Sequence, residues 1–171
     1  MIAAAGTFEV LARQVLEACR AHGVMLATAE SCTGGMIAAA LTDIAGSSDV
    51  VDRGFVTYSN EAKMEMIGVS KATLDAFGAV SGETAKEMAA GALARSRAGI
   101  ALSVTGVAGP GGGSVEKPVG LVWFGLAMKG RDTAAERRLF EDNGRAFIRA
   151  ESVRTALEMA LAALTDQAGG P

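Results

Sequence analysis

Val24-Met25-Leu26-Ala27-Thr28-Ala29-Glu30-Ser31-Cys32-Thr33-Gly34-Gly35, running on into Met36, is the stretch whose reading decides the fold. Residues 24–29 are a short apolar run suited to a buried strand. Residues 30–35 are a polar turn ending in two glycines, and 36–41 are an apolar helix. Strand, glycine-rich turn and helix in that order open an α/β unit. In open α/β sheets, sites collect beyond the carboxyl ends of the strands. Ser31, Thr33, Gly34 and Gly35 therefore stand where a site is expected. N–H groups at a helix start lack partners and can take an anion or an oxyanion, and glycine lets a ligand approach the backbone. The same spacing also fits a plain helix cap supplied by Ser31 or Thr33.

Working outward, residues 8–21 carry apolar side chains at helical spacing, and Gly23 is placed to end that helix. Downstream, the polar loop Gly46-Ser47-Ser48-Asp49 leads to a predicted strand over 55–59. A short helix over 61–67 follows, capped by Asn60 and stopped by Gly68. Ser70 opens a turn or two to residue 77, and Ser81 opens a clearer helix over 82–98. A strand over 99–105 then runs into a glycine-rich loop over 106–118. A long apolar strand over 119–128 contains Trp123, and Lys129-Gly130-Arg131-Asp132 turns it into an edge strand over 134–140. A last helix covers 145–164. The pattern predicts one α/β domain over residues 6–164. It is a three-layer α/β/α sandwich with a mixed central sheet of about five strands, at least one pair antiparallel. Residues 1–5 and 165–171 read as flexible termini.

Composition narrows the function classes. Of 171 residues 50% are hydrophobic, which supplies a core and excludes general disorder. No apolar run reaches the roughly 18 residues of a membrane span, so no membrane partner is expected. The start has no basic region ahead of an apolar stretch, so no secretory leader is expected either. Lys and Arg number 16 against 19 Asp and Glu, a net charge of −3, which lacks the basic footprint of a nucleic-acid binder. Two cysteines, Cys19 and Cys32, and one histidine, His22, make neither a disulfide framework nor a metal site. The expected compartment is the reducing cytoplasm, and no metal or cofactor is expected. Glycine numbers 22, nearly twice the usual ~7%, with only 3 prolines, so the glycines need local explanations.

Three further segments carry candidate chemistry. With Asn60 as cap, Lys63 takes the third helical position, where the helix dipole opposes a cation. That opposition, or burial, lowers a lysine's pKa, and a neutral amine can act as general base on a serine. Tyr58, the one tyrosine, stands beside it. Ser48 is either a loop residue or a nucleophile near Lys63. The loop from Thr105 to Pro118 is neither a Walker A motif nor a GxGxxG fingerprint. Lying between two core strands, it suits a backbone cradle for phosphate or ribose better than a linker. Arg145, opening the last helix, is either a phosphate clamp or a surface arginine. The apolar strand with Trp123 and the apolar last helix suit either core or a homo-oligomer, dimer or trimer.

Five ordered motifs carry a resemblance: Thr28 to Gly35, Arg53 to Lys63, Gly78-Ala79-Val80-Ser81, Ser103 to Gly112, and Lys117-Pro118-Val119-Gly120. Together they resemble the CinA C-terminal domain family over about residues 6–164, in its stand-alone amidohydrolase form. The resemblance implies hydrolysis of the carboxamide of nicotinamide mononucleotide to nicotinate mononucleotide and ammonia, in pyridine-nucleotide recycling. It implies a metal-independent serine and lysine mechanism. Ser48 and Lys63 would be nucleophile and base, Tyr58 would assist proton transfer, and Ser31 would line the amide. Thr33, Gly34 and Gly35 would contribute the backbone beside Ser31. Thr105, Gly106, Gly109, Gly111 and Gly112 would hold ribose and phosphate, and Arg145 would grip the phosphate. Between Ser48 and Ser31 as nucleophile the preference is Ser48. A nucleotide phosphoester or pyrophosphate hydrolase, and a non-catalytic nucleotide-binding protein linked to competence, are the alternatives.

Overall fold

The computed structural model describes residues 6–166. Helix α1 (Glu9–His22) leads into strand β1 (Leu26–Glu30), then helix α2 (Met36–Thr42) and a 3-10 turn (Ser47–Asp49). Strand β2 (Val51–Val56) follows, then helices α3 (Asn60–Ile67), α4 (Lys71–Phe77) and α5 (Gly82–Ala94). Strands β3 (Ile100–Gly106), β4 (Leu121–Met128) and β5 (Ala134–Leu139) and helix α6 (Arg145–Thr165) complete the chain. The sheet order is β2-β1-β3-β4-β5. Strand β1 is parallel to both β2 and β3, while β4 and β5 are antiparallel additions. The domain is thus an α/β fold with a five-stranded mixed sheet and helices on both faces, as the sequence pattern predicts.

The two faces differ because alternate residues of a strand point opposite ways. Leu26 of β1 and Ile100, Leu102 and Val104 of β3 pack with α1, α2 and α6 in one core cluster. Their neighbours Ala27, Ala29 and Ala101 pack with Ile67, Leu74, Met88 and Ala92 in the other. That second face is built from small residues because α5 lies close on it. Ser103 Oγ donates to the Ala85 carbonyl at 2.6 Å. A Cβ at Gly125 would collide with that same carbonyl.

Several boundaries move. Strand β2 begins at Val51, four residues before the predicted start, and stops at Val56. Ser59, not Asn60, caps α3, its side chain accepting from the Ala62 N–H at 3.0 Å. Lys63 is therefore the fourth helical residue, its N–H already bonded to the Ser59 carbonyl. Helix α5 stops at Ala94 rather than 98. Thr165 closes α6 rather than opening a loose end. The rest of the expected flexible termini, residues 1–5 and 167–171, lies outside the described residues. Strand β4 is internal, with Trp123 half-buried, and α6 buries eight of its residues within the domain. Both features that suggested self-association serve the chain's own core.

Candidate active site

Because β1, β2 and β3 are parallel, their carboxyl ends share one edge of the sheet. Antiparallel β4 starts at that edge, with Val122 opposite Gly106, so the loop between β3 and β4 closes over it. The turn after β1 continues the ladder by one bond, Ser31 N–H to Val104 carbonyl at 2.9 Å. Ser31 is in phase with Ala27 and Ala29, so its side chain belongs to the α3/α5 face.

Lys63 meets it there. This lysine is 1% exposed and heads the largest fully buried side chains of the domain. Its Nζ lies 3.1 Å from Ser31 Oγ, and it donates to the Thr57 carbonyl at 2.9 Å and towards the Tyr58 carbonyl at 3.5 Å. No carboxylate among the described residues pairs with it. Burial, which disfavours the charged form, pushes its pKa below the ordinary lysine value of 10.5. With N–H groups directed at the two carbonyls, the Lys63 amine has the Ser31 hydroxyl as its third polar neighbour. Burial rather than the helix dipole is the cause, since Lys63 is past the first three helical positions. The Thr57 hydroxyl is also buried in this corner and has no partner among the described residues.

Glu30, which sequence reasoning did not single out, organises the turn from below. Its carboxylate is 1% exposed. It accepts from Thr33 Oγ1 at 2.7 Å, Ile37 N at 2.8 Å, Ala38 N at 3.0 Å and Thr28 Oγ1 at 3.3 Å. The first turn of α2 is thus already occupied by an anion of the protein itself. Of the N–H groups at the turn, Gly34 donates to the Ser31 carbonyl at 3.0 Å, while those of Thr33 and Gly35 have no acceptor among the described residues. Gly34 and Gly35 have φ of +58° and +102°, left-handed backbone that glycine adopts without strain. The start of this turn is a feature the sequence signals through its glycines. Glu30 is signalled only by its place seven and eight residues ahead of the amides it caps.

Arg145 ties two other elements together at the same edge. Its Nη2 donates to the Tyr58 hydroxyl at 3.1 Å and its Nη1 to the Gly109 carbonyl at 2.8 Å. Tyr58 is 61% exposed, so its ring forms the rim rather than the floor of the cleft. Thr105 is buried, its hydroxyl donating to the Ala79 carbonyl at 2.7 Å. Gly106 ends β3, Gly109 is buried, and Gly111 and Gly112 lie exposed in the loop beyond.

Ser48 is a correction. It lies in the 3-10 turn just ahead of β2, exposed, beside Asp49, which pairs with Arg20 at 2.7 Å. Lys63 Nζ is bonded to the residue just beyond the other end of the same strand. Six strand residues span about 20 Å, so no hydrogen bond can join the two. The structure brings Ser31 to Lys63 and leaves Ser48 on the opposite edge of the sheet. Neither cysteine competes. Burial pushes the Cys32 thiol up to about 12 and that of Cys19 to about 11, so both stay protonated. Among the described residues, no group of three or more His, Cys, Asp or Glu side chains gathers in a metal-binding cluster.

Comparison with known proteins follows the same outline. The model of the CinA C-terminal domain matches residues 8–164. The nicotinamide-nucleotide amidohydrolase PncC of Enterobacter agglomerans is 51% identical over 152 residues, 88% of this chain and 92% of that protein. The protein of the same name from Escherichia coli K12 is 51% identical over 86% of this chain and 89% of its own length. The crystal structure of the competence/damage inducible protein CihA from Agrobacterium tumefaciens superimposes with a TM-score of 0.90 at 55% identity, covering 96% of this chain and 98% of that one.

Proposed function

The chain belongs to the CinA C-terminal domain family, and from that premise we propose that it is a nicotinamide-nucleotide amidohydrolase. Its substrate is nicotinamide mononucleotide, and its products are nicotinate mononucleotide and ammonia, in recycling of the pyridine nucleotide. Two amidohydrolase relatives at 51% identity over most of both chains support the reaction. The observation that carries the mechanism is the 3.1 Å contact between a buried, carboxylate-free Lys63 amine and Ser31 Oγ.

The steps follow from that contact. Lys63 takes the Ser31 hydroxyl proton as Oγ bonds to the carboxamide carbon, and the C=O electron pair moves onto oxygen. The N–H groups left free at the turn stabilise that oxyanion. The pair returns, the C–N bond breaks, and Lys63 gives its proton to the departing nitrogen, which leaves as ammonia. Water then attacks the Ser31 ester, its proton passing through Lys63 to Oγ. Tyr58 and Arg145 bound the cleft. The Arg145 guanidinium exchanges the Tyr58 hydroxyl and Gly109 carbonyl for the substrate phosphate, which matches its fork better. The loop backbone at Gly106, Gly109, Gly111 and Gly112 lies along ribose and phosphate. The setting is cytoplasmic, where Cys19 and Cys32 stay reduced. No helix among the described residues is long and apolar enough to cross a membrane. Self-association as a dimer or trimer belongs to the same proposal.

The experiment is incubation with nicotinamide mononucleotide, read for ammonia and for conversion of carboxamide to carboxylate by mass spectrometry. Stoichiometric ammonia and nicotinate mononucleotide are expected without added metal. Binding with no ammonia, or release of inorganic phosphate instead, would replace this reading with a binding protein or a phosphohydrolase.

A further inference from the structure

Arg149 lies on α6, one turn beyond Arg145. It is half-buried, and its guanidinium goes to the turn after Ser31. Nε donates to the Cys32 carbonyl at 3.0 Å and Nη2 to the Thr33 carbonyl at 3.1 Å. Among the described residues it forms no ion pair. A guanidinium whose donors are committed to two consecutive main-chain carbonyls fixes the orientation of two peptide planes.

The consequence follows from peptide geometry. The one cis bond among the described residues is Gly109-Pro110, so the Cys32–Thr33 peptide is trans. In a trans peptide the C=O and N–H point opposite ways. The Cys32 carbonyl points to α6, which packs on the Leu102 face of the sheet. The N–H in the same plane belongs to Thr33 and points the other way, away from α6. That N–H has no acceptor among the described residues. A cation on the carbonyl oxygen also draws electron density from the amide and strengthens the N–H as a donor. Helix α6 does not need Arg149 for its own seat, since Ile148, Val153, Ala156, Leu157, Ala160 and Leu164 already bury it.

We propose that Arg149 is a positioning residue that aims the Thr33 N–H at the oxyanion formed when Ser31 attacks a carbonyl. The inference rests on the reading of Ser31 as nucleophile. Its action is confined to the transition state, because the ground-state carbonyl oxygen lies short of the oxyanion position.

The test uses Arg149→Met and Arg149→Lys with nicotinamide mononucleotide as substrate. Loss of one oxyanion donor costs about 100- to 1000-fold in kcat, so a donor that is misaimed rather than removed should cost roughly 10- to 100-fold. KM should stay within about threefold in both variants, because ground-state binding is untouched. Arg149→Lys, whose ammonium reaches one carbonyl at a time, should fall between wild type and Arg149→Met. Added ethylguanidinium should restore part of the Arg149→Met turnover. The pH at which activity rises should not move, since Lys63 is unchanged. Unaltered kcat, a rise in KM alone, or a loss matched by the unfolded fraction in the same buffer would overturn the proposal. If Arg149→Met does not fold, Arg149→Lys decides by the same criteria. A second arm separates this from the choice of substrate. The rate of Ser31 acylation by p-nitrophenyl acetate requires an oxyanion donor whatever the natural amide. It should fall in parallel in the same variants, and an unchanged acylation rate counts against Arg149 even if nicotinamide mononucleotide is not turned over by wild type.

Discussion

Replacing Ser31 and Ser48 separately by alanine tests which hydroxyl Lys63 serves. Ser31 Oγ is 3.1 Å from the Lys63 amine and the residue is 9% exposed. Ser48 is exposed at the far end of β2, about 20 Å away by strand rise. Proton transfer needs about 2.6–3.2 Å, so the amine reaches the first and misses the second by roughly sixfold. Losing a nucleophile that works as a unit with its base costs at least about 10³ in kcat, or about 4 kcal/mol of barrier. Ser31→Ala also loses one hydrogen bond, worth about 1 kcal/mol. For a domain of this size that lowers Tm by only about 2–4 °C, so unfolding does not account for the activity loss. Ser48→Ala is an exposed substitution, within about 0.5 kcal/mol, and activity should stay within roughly twofold. The assay is ammonia release from nicotinamide mononucleotide at saturating substrate, with a melting curve on each variant. An inactive, folded Ser48→Ala protein beside an active Ser31→Ala protein would refute the geometric reasoning.

Two further outcomes follow from buried charge. The depressed Lys63 pKa means that the unfolded chain holds a proton the folded one lacks, between the folded value and 10.5. Stability therefore rises with pH across that window, and catalytic rate rises through the folded value as the amine loses its proton. Lys63→Met should remove both pH dependences while cutting kcat by about 10²–10⁴. A Lys63→Met protein whose stability still climbs over the same window would assign the effect to another group. Glu30→Gln puts an NH₂ where a carboxylate oxygen now accepts from Ile37 N or Ala38 N. A buried donor left facing another donor costs about 1–3 kcal/mol, so Tm by calorimetry should fall by roughly 2–12 °C. An unchanged Tm would show that the cap contributes nothing.

The fold was largely legible because its signals are local. An apolar run closed by Gly34 and Gly35 marks β1 and α2, Ser81 marks α5, and the Lys129–Asp132 turn marks the β4–β5 hairpin. Each is set by neighbours in the chain. The site was less legible because it depends on which end of a strand a residue occupies. The pairing of Ser48 with Lys63 comes from the resemblance, although Ser48 stands ahead of the predicted strand over 55–59 and so at its amino end. Starting β2 at Val51, as the structure does, leaves Ser48 at that amino end. The rule that sites gather at carboxyl ends, applied strictly, would have favoured Ser31 over Ser48 without coordinates. Arg149 and Glu30 had no comparable signal. Arg149 reaches its carbonyls across 116 and 117 residues of sequence, and Glu30 works through main-chain amides that no residue type announces.

On the proposed mechanism, the choice of oxygen over sulfur as nucleophile is a matter of strand parity. Cys32 follows Ser31 directly, and a thiolate is intrinsically the better nucleophile. One step along an extended chain reverses the face a side chain occupies. Cys32 therefore packs with Ile37, Val104 and Ala108 in the α1/α6 cluster, where burial raises its pKa to about 12. Ser31 stays on the α3 side, where the Lys63 amine is held with no carboxylate to keep it charged. The same burial that silences the thiol lowers the lysine's pKa, because desolvation penalises an anion on one face and a cation on the other. A hydroxyl needs a base and a thiolate does not, and on the proposed mechanism the Lys63 amine against Ser31 supplies that base.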